Sequence, residues 1–100
     1  MIEPANQVEI SGVISSLQPL RHSPAGVPVV EFRLKHASER EEAGVRRQVA
    51  VELDAIAFEA QARLLAGSAL GRPLKAAGFI SAKNKRSAKP VLHVTNIEFI

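Results

Sequence analysis

The chain has 100 residues, a net charge of +3 and no cysteine, which excludes disulfide staples and thiolate metal sites. Its mass of 10.8 kDa limits it to one modest core, and a folded monomer of that size should expose roughly 5,500 Å². The sequence shows no apolar run of eighteen residues and no secretory n-region and h-region, so a cytoplasmic protein without a membrane span is expected.

In chain order, Gln7–Ser15 alternates, with Val8, Ile10 and Ile14 on one face and Glu9, Ser11 and Ser15 on the other. Gly12 interrupts the apolar face, which marks a bend at a barrel corner or a crowded packing position. A proline- and glycine-containing loop follows over 19–28. Val30, Phe32 and Leu34 then point inward and Glu31, Arg33 and Lys35 outward, with His36 expected as a structural histidine at the strand end. The polar stretch Ser38–Gly44 reads as an exposed connection. Arg47, Val49, Val51 and Leu53 share one phase of a third strand, which places Ala50 on the outward one.

The period then changes. Asp54 is expected to cap a helix over Ala55–Leu65 that ends near Gly67, with Phe58, Ala62 and Leu65 on its buried side. Phe32 and Phe58 are expected in the core, whereas Phe79 and Phe99 fit either a core or an exposed platform. Two further strands are expected over Pro73–Ser81 and Val91–Phe99. Both carry apolar residues on both faces, which leaves their inward phase open and suggests cover by a second subunit. The order β-β-β-α-β-β points to an all-β fold: a five-stranded Greek-key OB-fold barrel with one short helix between strands 3 and 4, in a single domain over 1–100. An open sheet with one packed helix is the alternative.

Charge is unevenly placed. Residues 1–59 carry six Lys/Arg against nine Asp/Glu, and residues 60–100 carry seven against one. Lys83, Lys85, Arg86 and Lys89 fall within seven positions, between the last two expected strands. Loops so placed contact oligonucleotides in OB barrels, and lysines meet phosphates without reading bases. Arg21, Lys35 and Arg47 extend this candidate track. Catalysis is not expected: His22, His36 and His93 are scattered, no nucleophile elbow or metal-ligand spacing occurs, and no cofactor or metal is implied. The chain has no Trp or Tyr, so base stacking rests on four phenylalanines.

The ordered segments Val8–Gly12, Leu20-Arg21, Ser23–Pro28, Phe32–His36, Glu41–Gly44, Arg47-Gln48, Gly78–Ser81, Val91–His93 and Ile97-Glu98 resemble the bacterial primosomal replication protein N (PriB) family, relatives of single-stranded-DNA-binding protein. The resemblance spans residues 6–100. It implies a homodimer that binds single-stranded DNA and helps reload the replicative helicase, beside the restart helicase PriA and a primosomal loading protein. It also implies DNA-binding roles for Lys83, Lys85, Lys89 and Arg47. Family members can carry tryptophan where this chain has Ala50. A protein-interaction OB subunit with little DNA affinity of its own, or an RNA-binding OB module, are the alternatives.

Overall fold

The computed structural model describes residues 3–100, so the first two positions of the expected 1–100 domain lie outside the described residues. The elements are β1 (Val8–Leu17), β2 (Arg21–His22), β3 (Pro28–Glu42), β4 (Val45–Phe58), α1 (Ala60–Ala66), β5 (Pro73–Asn84) and β6 (Ser87–Phe99). The sheet order is β1-β5-β6-β4-β3-β2, and β1 also pairs with β3, which closes a five-stranded barrel with β2 as a short appendage. Closure leaves no long unpaired edge on the barrel itself.

β1 serves both sides of the closure. Val8–Val13 pair with β5, and Val13–Leu17 pair with β3 across an irregularity between Ile14 and Ser16. Gly12 sits just before this change of partner, and a Cβ there would collide with the Lys35 carbonyl. The barrel-corner and crowded-packing readings of this glycine therefore describe one feature. The core contains Ile14, Val30, Phe32, Leu34, Leu74 and Leu92, each no more than 3% exposed. Ala62 and Leu65 of α1 are fully buried, so the short helix plugs one end of the barrel.

Several expected boundaries are corrected. The Ser38–Gly44 connection is mostly strand: β3 and β4 stay paired from Val29↔Phe58 out to Glu42↔Val45. They turn through Ala43 (φ 53°) and Gly44 (φ 78°), two positive-φ positions as in a type I′ hairpin. The helix does not begin after Asp54. Asp54 lies inside β4, opposite Arg33, and α1 starts at Ala60 without a side-chain cap. Alanine favours helix, but Ala55 and Ala57 point into the core while pairing with β3 and, in parallel, with β6. Tertiary pairing outweighs that propensity.

The two-faced appearance of the last strand also has a local cause. The β5–β6 register shifts between Ala77↔Asn96 and Gly78↔Val94, so Thr95 is extra. Val94 and Ile97 are therefore both buried although three residues apart. A bulge accounts for this break in the alternation. His36 is mid-strand rather than terminal. Its Nδ1 donates to the Ser11 carbonyl at 2.6 Å, which ties β1 to β3.

Candidate nucleic-acid interface

The basic run lies where β5 turns into β6, but it is not a free loop. Lys83 is on β5, Lys89 is on β6, and only Lys85 and Arg86 occupy the turn. Asn84 sets that turn, its Oδ1 accepting from the backbone N–H of Arg86 and of Ser87 at 2.9 Å each. The hairpin is thus an ordered projection with cations on both strands and at its tip.

Among the described residues, Lys83, Lys85, Arg86 and Lys35 make no ion pair within 4 Å, so four of the seven expected binding residues are unpaired. The other three are engaged. Arg21 lies 3.6 Å from Glu31, Arg47 is 2.8 Å from Glu42, and the Lys89 Nζ is 2.7 Å from Asp54. The structure brings Lys83 and Lys89 to one hairpin beside the outward face of β3 and β4. A cleft of about 320 Å³ forms there, lined by Gln18, Glu31, Arg33, Asp54 and Lys83 among others. Arg47 sits apart, on the β3–β4 arm. That arm neutralises its own charges, since Arg46 and Gln48 both donate to Glu39.

Electrostatics narrow the surface further. On the outward side of β1, β5 and β6, Lys75 is flanked by Glu98 at 3.2 Å and Glu9 at 3.9 Å. The hydrogen bond to Glu98 first, and then the two nearby carboxylates, hold the Lys75 ammonium above its usual range. Charge around Lys75, at the end of β5 away from the hairpin, is balanced or acidic, so a polyanion has less to gain there than at the hairpin.

Sequence reasoning missed an aromatic feature. Phe58, expected in the core, is 40% exposed because β4 continues through it and turns its ring outward. Phe79, left open by the sequence, is also 40% exposed. His93 stands between them, with ring centroids 5.0 Å from Phe79 and 6.2 Å from Phe58. Three rings from β4, β6 and β5 therefore form a row on the outside of the barrel. Alternation back from Lys83 through Ser81 to Phe79 puts the row on the lysine-bearing side of β5. Phe99 packs partly against the core, with the Arg72 guanidinium 3.9 Å above its ring.

A closed OB barrel with a cationic β5–β6 hairpin and external rings defines a single-strand-binding type of protein. The model of "another single-strand binding protein family" matches residues 6–96. A small single-stranded DNA-binding protein from Streptomyces coelicolor shares the fold, with a TM-score of 0.72 at 18% identity over 94% of this chain and 92% of that one. The Replication restart protein PriB of Nitrosomonas europaea is 40% identical over 95 residues, covering 95% of this chain and 88% of the relative. The corresponding Bordetella pertussis protein is 38% identical, covering 89% and 83%. The structure of PriB from Ralstonia solanacearum superposes with a TM-score of 0.87 at 28% identity, over 96% of this chain and 98% of that one. The chain belongs to the PriB family of replication restart proteins.

Proposed function

We propose that this protein is a non-catalytic single-stranded-DNA-binding subunit of the replication restart machinery, a cytoplasmic protein folded as one OB domain. The observation that carries this reading is the ordered hairpin presenting Lys83, Lys85 and Arg86 without carboxylate partners. Phosphates of a flexible strand meet these cations without any demand on base identity. Phe79, His93 and Phe58 offer ring surface to one or two bases further along, each stacked base adding about 1–3 kcal/mol. Lys35 and Arg21 flank the path on the β3 side, and Arg47 contributes once its pair with Glu42 opens.

We infer self-association as part of the same reading. The surface of 6977 Å² exceeds the roughly 5,500 Å² expected for a monomer of this mass. The β3–β4 arm exposes Val45 and Val51 at 57% and 42%, and a two-stranded hairpin is marginal without further support. A homodimer that covers the arm relieves both. Light scattering should therefore give particles of twice 10.8 kDa. The restart helicase PriA and a primosomal loading protein are the partners that family membership suggests.

Titration of labelled oligothymidylate at several salt concentrations tests the DNA reading. Replacing Lys83, Lys85 and Lys89 together by alanine should weaken binding and flatten the salt dependence by about 0.7 for each phosphate no longer neutralised. A triple variant that matches wild type in affinity and slope would overturn the assignment. Phe79→Ala should weaken binding while leaving the slope alone.

A second reading is favoured by the engagement of Arg21, Arg47 and Lys89 by carboxylates: a subunit that binds proteins and has little DNA affinity. Firm association with the helicase, together with no oligonucleotide binding even at low salt, would select it. Competition between matched DNA and RNA strands decides between the nucleic acids.

A further inference from the structure

Asp54 has no role in the phosphate path described above, yet it sits at its centre. β3–β4 pairing places it directly opposite Arg33 on the outward face, between the pairs Glu31↔Ile56 and Lys35↔Glu52. Its two oxygens are taken by different cations: Oδ1 accepts from the Arg33 Nε at 2.9 Å, and Oδ2 lies 2.7 Å from the Lys89 Nζ. The side chain is only 23% exposed. One carboxylate therefore joins the β3–β4 sheet to the basic hairpin and holds Lys89 down beside the cleft that Lys83 also lines.

We propose that Asp54 is a built-in stand-in for a DNA phosphate, occupying Lys89 and Arg33 in the free protein and competing with the nucleic acid for them. A carboxylate offers lysine the same charge sign and a similar oxygen geometry to a backbone phosphodiester. A phosphate can reach Lys89 in two ways. It displaces Asp54, which leaves that carboxylate without one of its two cations beside a polyanion. Otherwise it shares the ammonium, which brings two anions together. Both routes oppose binding, because like charges at such separation repel. Arg33 is doubly withheld, since Glu52 also lies 3.2 Å from it.

The consequence is graded engagement. The unpaired cations of the hairpin, Lys83, Lys85 and Arg86, meet the strand first. Lys89 joins only when a strand already held there brings a phosphate to it at high local concentration. An isolated anion lacks that advantage. The carboxylate thus favours a continuous strand over small phosphate compounds and limits the total affinity.

This inference rests on the lysine reading of the hairpin, and its test separates the two. Asp54→Asn should bind oligothymidylate about two- to five-fold more tightly, the range expected for freeing a surface ion pair. Its salt slope should steepen by up to about 0.7, because Lys89 then meets a phosphate in every complex and not only in part of them. The gain should shrink markedly in Asp54→Asn/Lys89→Ala. Without DNA, the rate at which an N-hydroxysuccinimide ester acylates Lys89, relative to Lys85 in the same molecule, should rise at least about two-fold in Asp54→Asn. Should Asp54→Asn fold poorly, Asp54→Ser removes the same charge. Equal or weaker binding by the neutral variant, beside a triple lysine variant that is crippled, overturns the inference and leaves the lysine reading standing. A triple variant that binds like wild type overturns both. An unchanged acylation ratio overturns the inference by itself, because Lys89 is then not held in solution.

Discussion

At the level of single residues, Asp54 links binding to stability in opposite senses. The hydrogen bond from Lys89 is the largest influence holding its carboxyl below the usual carboxylate range. Partial burial works against that, and the charges of Lys89 and Arg33 add to it. A carboxyl whose folded pKa lies below its unfolded value, near 3.9, stabilises the fold fully above that unfolded value. The contribution disappears as the pH falls through the folded pKa. Asp54→Asn should therefore melt below wild type at pH 7, by an amount reflecting no more than about 1 kcal/mol for a pair with solvent access. The gap should narrow between pH 7 and about pH 3, below the unfolded value, as the wild-type carboxyl begins to take up its proton. Calorimetry at the two pH values checks this, and a gap that widens in acid would contradict it. The variant that binds more tightly is thus expected to be the less stable one. None of this was legible in the sequence, where an aspartate before an alanine-rich stretch reads as a helix cap. The residues that re-assign it, Arg33 and Lys89, are distant in the chain and meet it only after β3 and β6 have paired with β4.

The elements show where alternation carries information and where it fails. The inward set Val30, Phe32 and Leu34 was legible because strict alternation with Glu31, Arg33 and Lys35 fits only a half-buried strand. Residues 38–44 were not legible as strand. Beyond the barrel rim neither face is buried, so polar residues occupy both and the pattern imitates a loop. The order there comes from backbone pairing and cross-strand charge, as in Arg46–Glu39 and Arg47–Glu42. Phe58 was misplaced for a related reason. A large apolar residue at helical spacing from Ala62 and Leu65 fits a helical face, and it is pairing with β3 as far as Val29↔Phe58, with β6 alongside Ala55–Ala57, that keeps the chain extended to that point. The arm offers its own test. Ala43 holds φ 53° at a position where a Cβ is unfavourable and asparagine is far better tolerated. Ala43→Asn should stabilise the turn by up to about 1 kcal/mol. The gain should appear in hydrogen exchange as slower exchange of amides 38–50, with β1 and β5 unchanged. Uniform slowing across the barrel would mean that the arm does not open on its own.

For the whole molecule, shape and charge together set how binding responds to salt. The barrel and its two projecting hairpins measure 50 × 40 × 25 Å, with a radius of gyration of 14.7 Å against about 13 Å for a compact 100-residue domain. The excess lies in the projections, which put charge where a strand can reach it and leave the core modest. With Lys83, Lys85 and Arg86 unpaired, three phosphates neutralised per barrel give a slope of log K against log salt of about −2. Recruiting Lys89 from Asp54 brings the slope toward about −3. Were all seven candidate cations free to bind phosphate, the slope would approach about −5. About two units of this difference are the measurable cost of the intramolecular pairs that hold Arg21, Arg47 and Lys89, and the rest is Lys35, which is unpaired but lies on β3, off the hairpin. Oligothymidylate titrations between about 20 and 200 mM salt resolve the difference, because that span amplifies each unit of slope into a roughly ten-fold change in affinity. A slope of about −2 to −3 per barrel is expected. A slope of about −5 would mean that the carboxylates release their partners freely and that pairing in the free protein does not restrain the interface. A slope near zero would mean that the hairpin cations do not meet the phosphate chain at all.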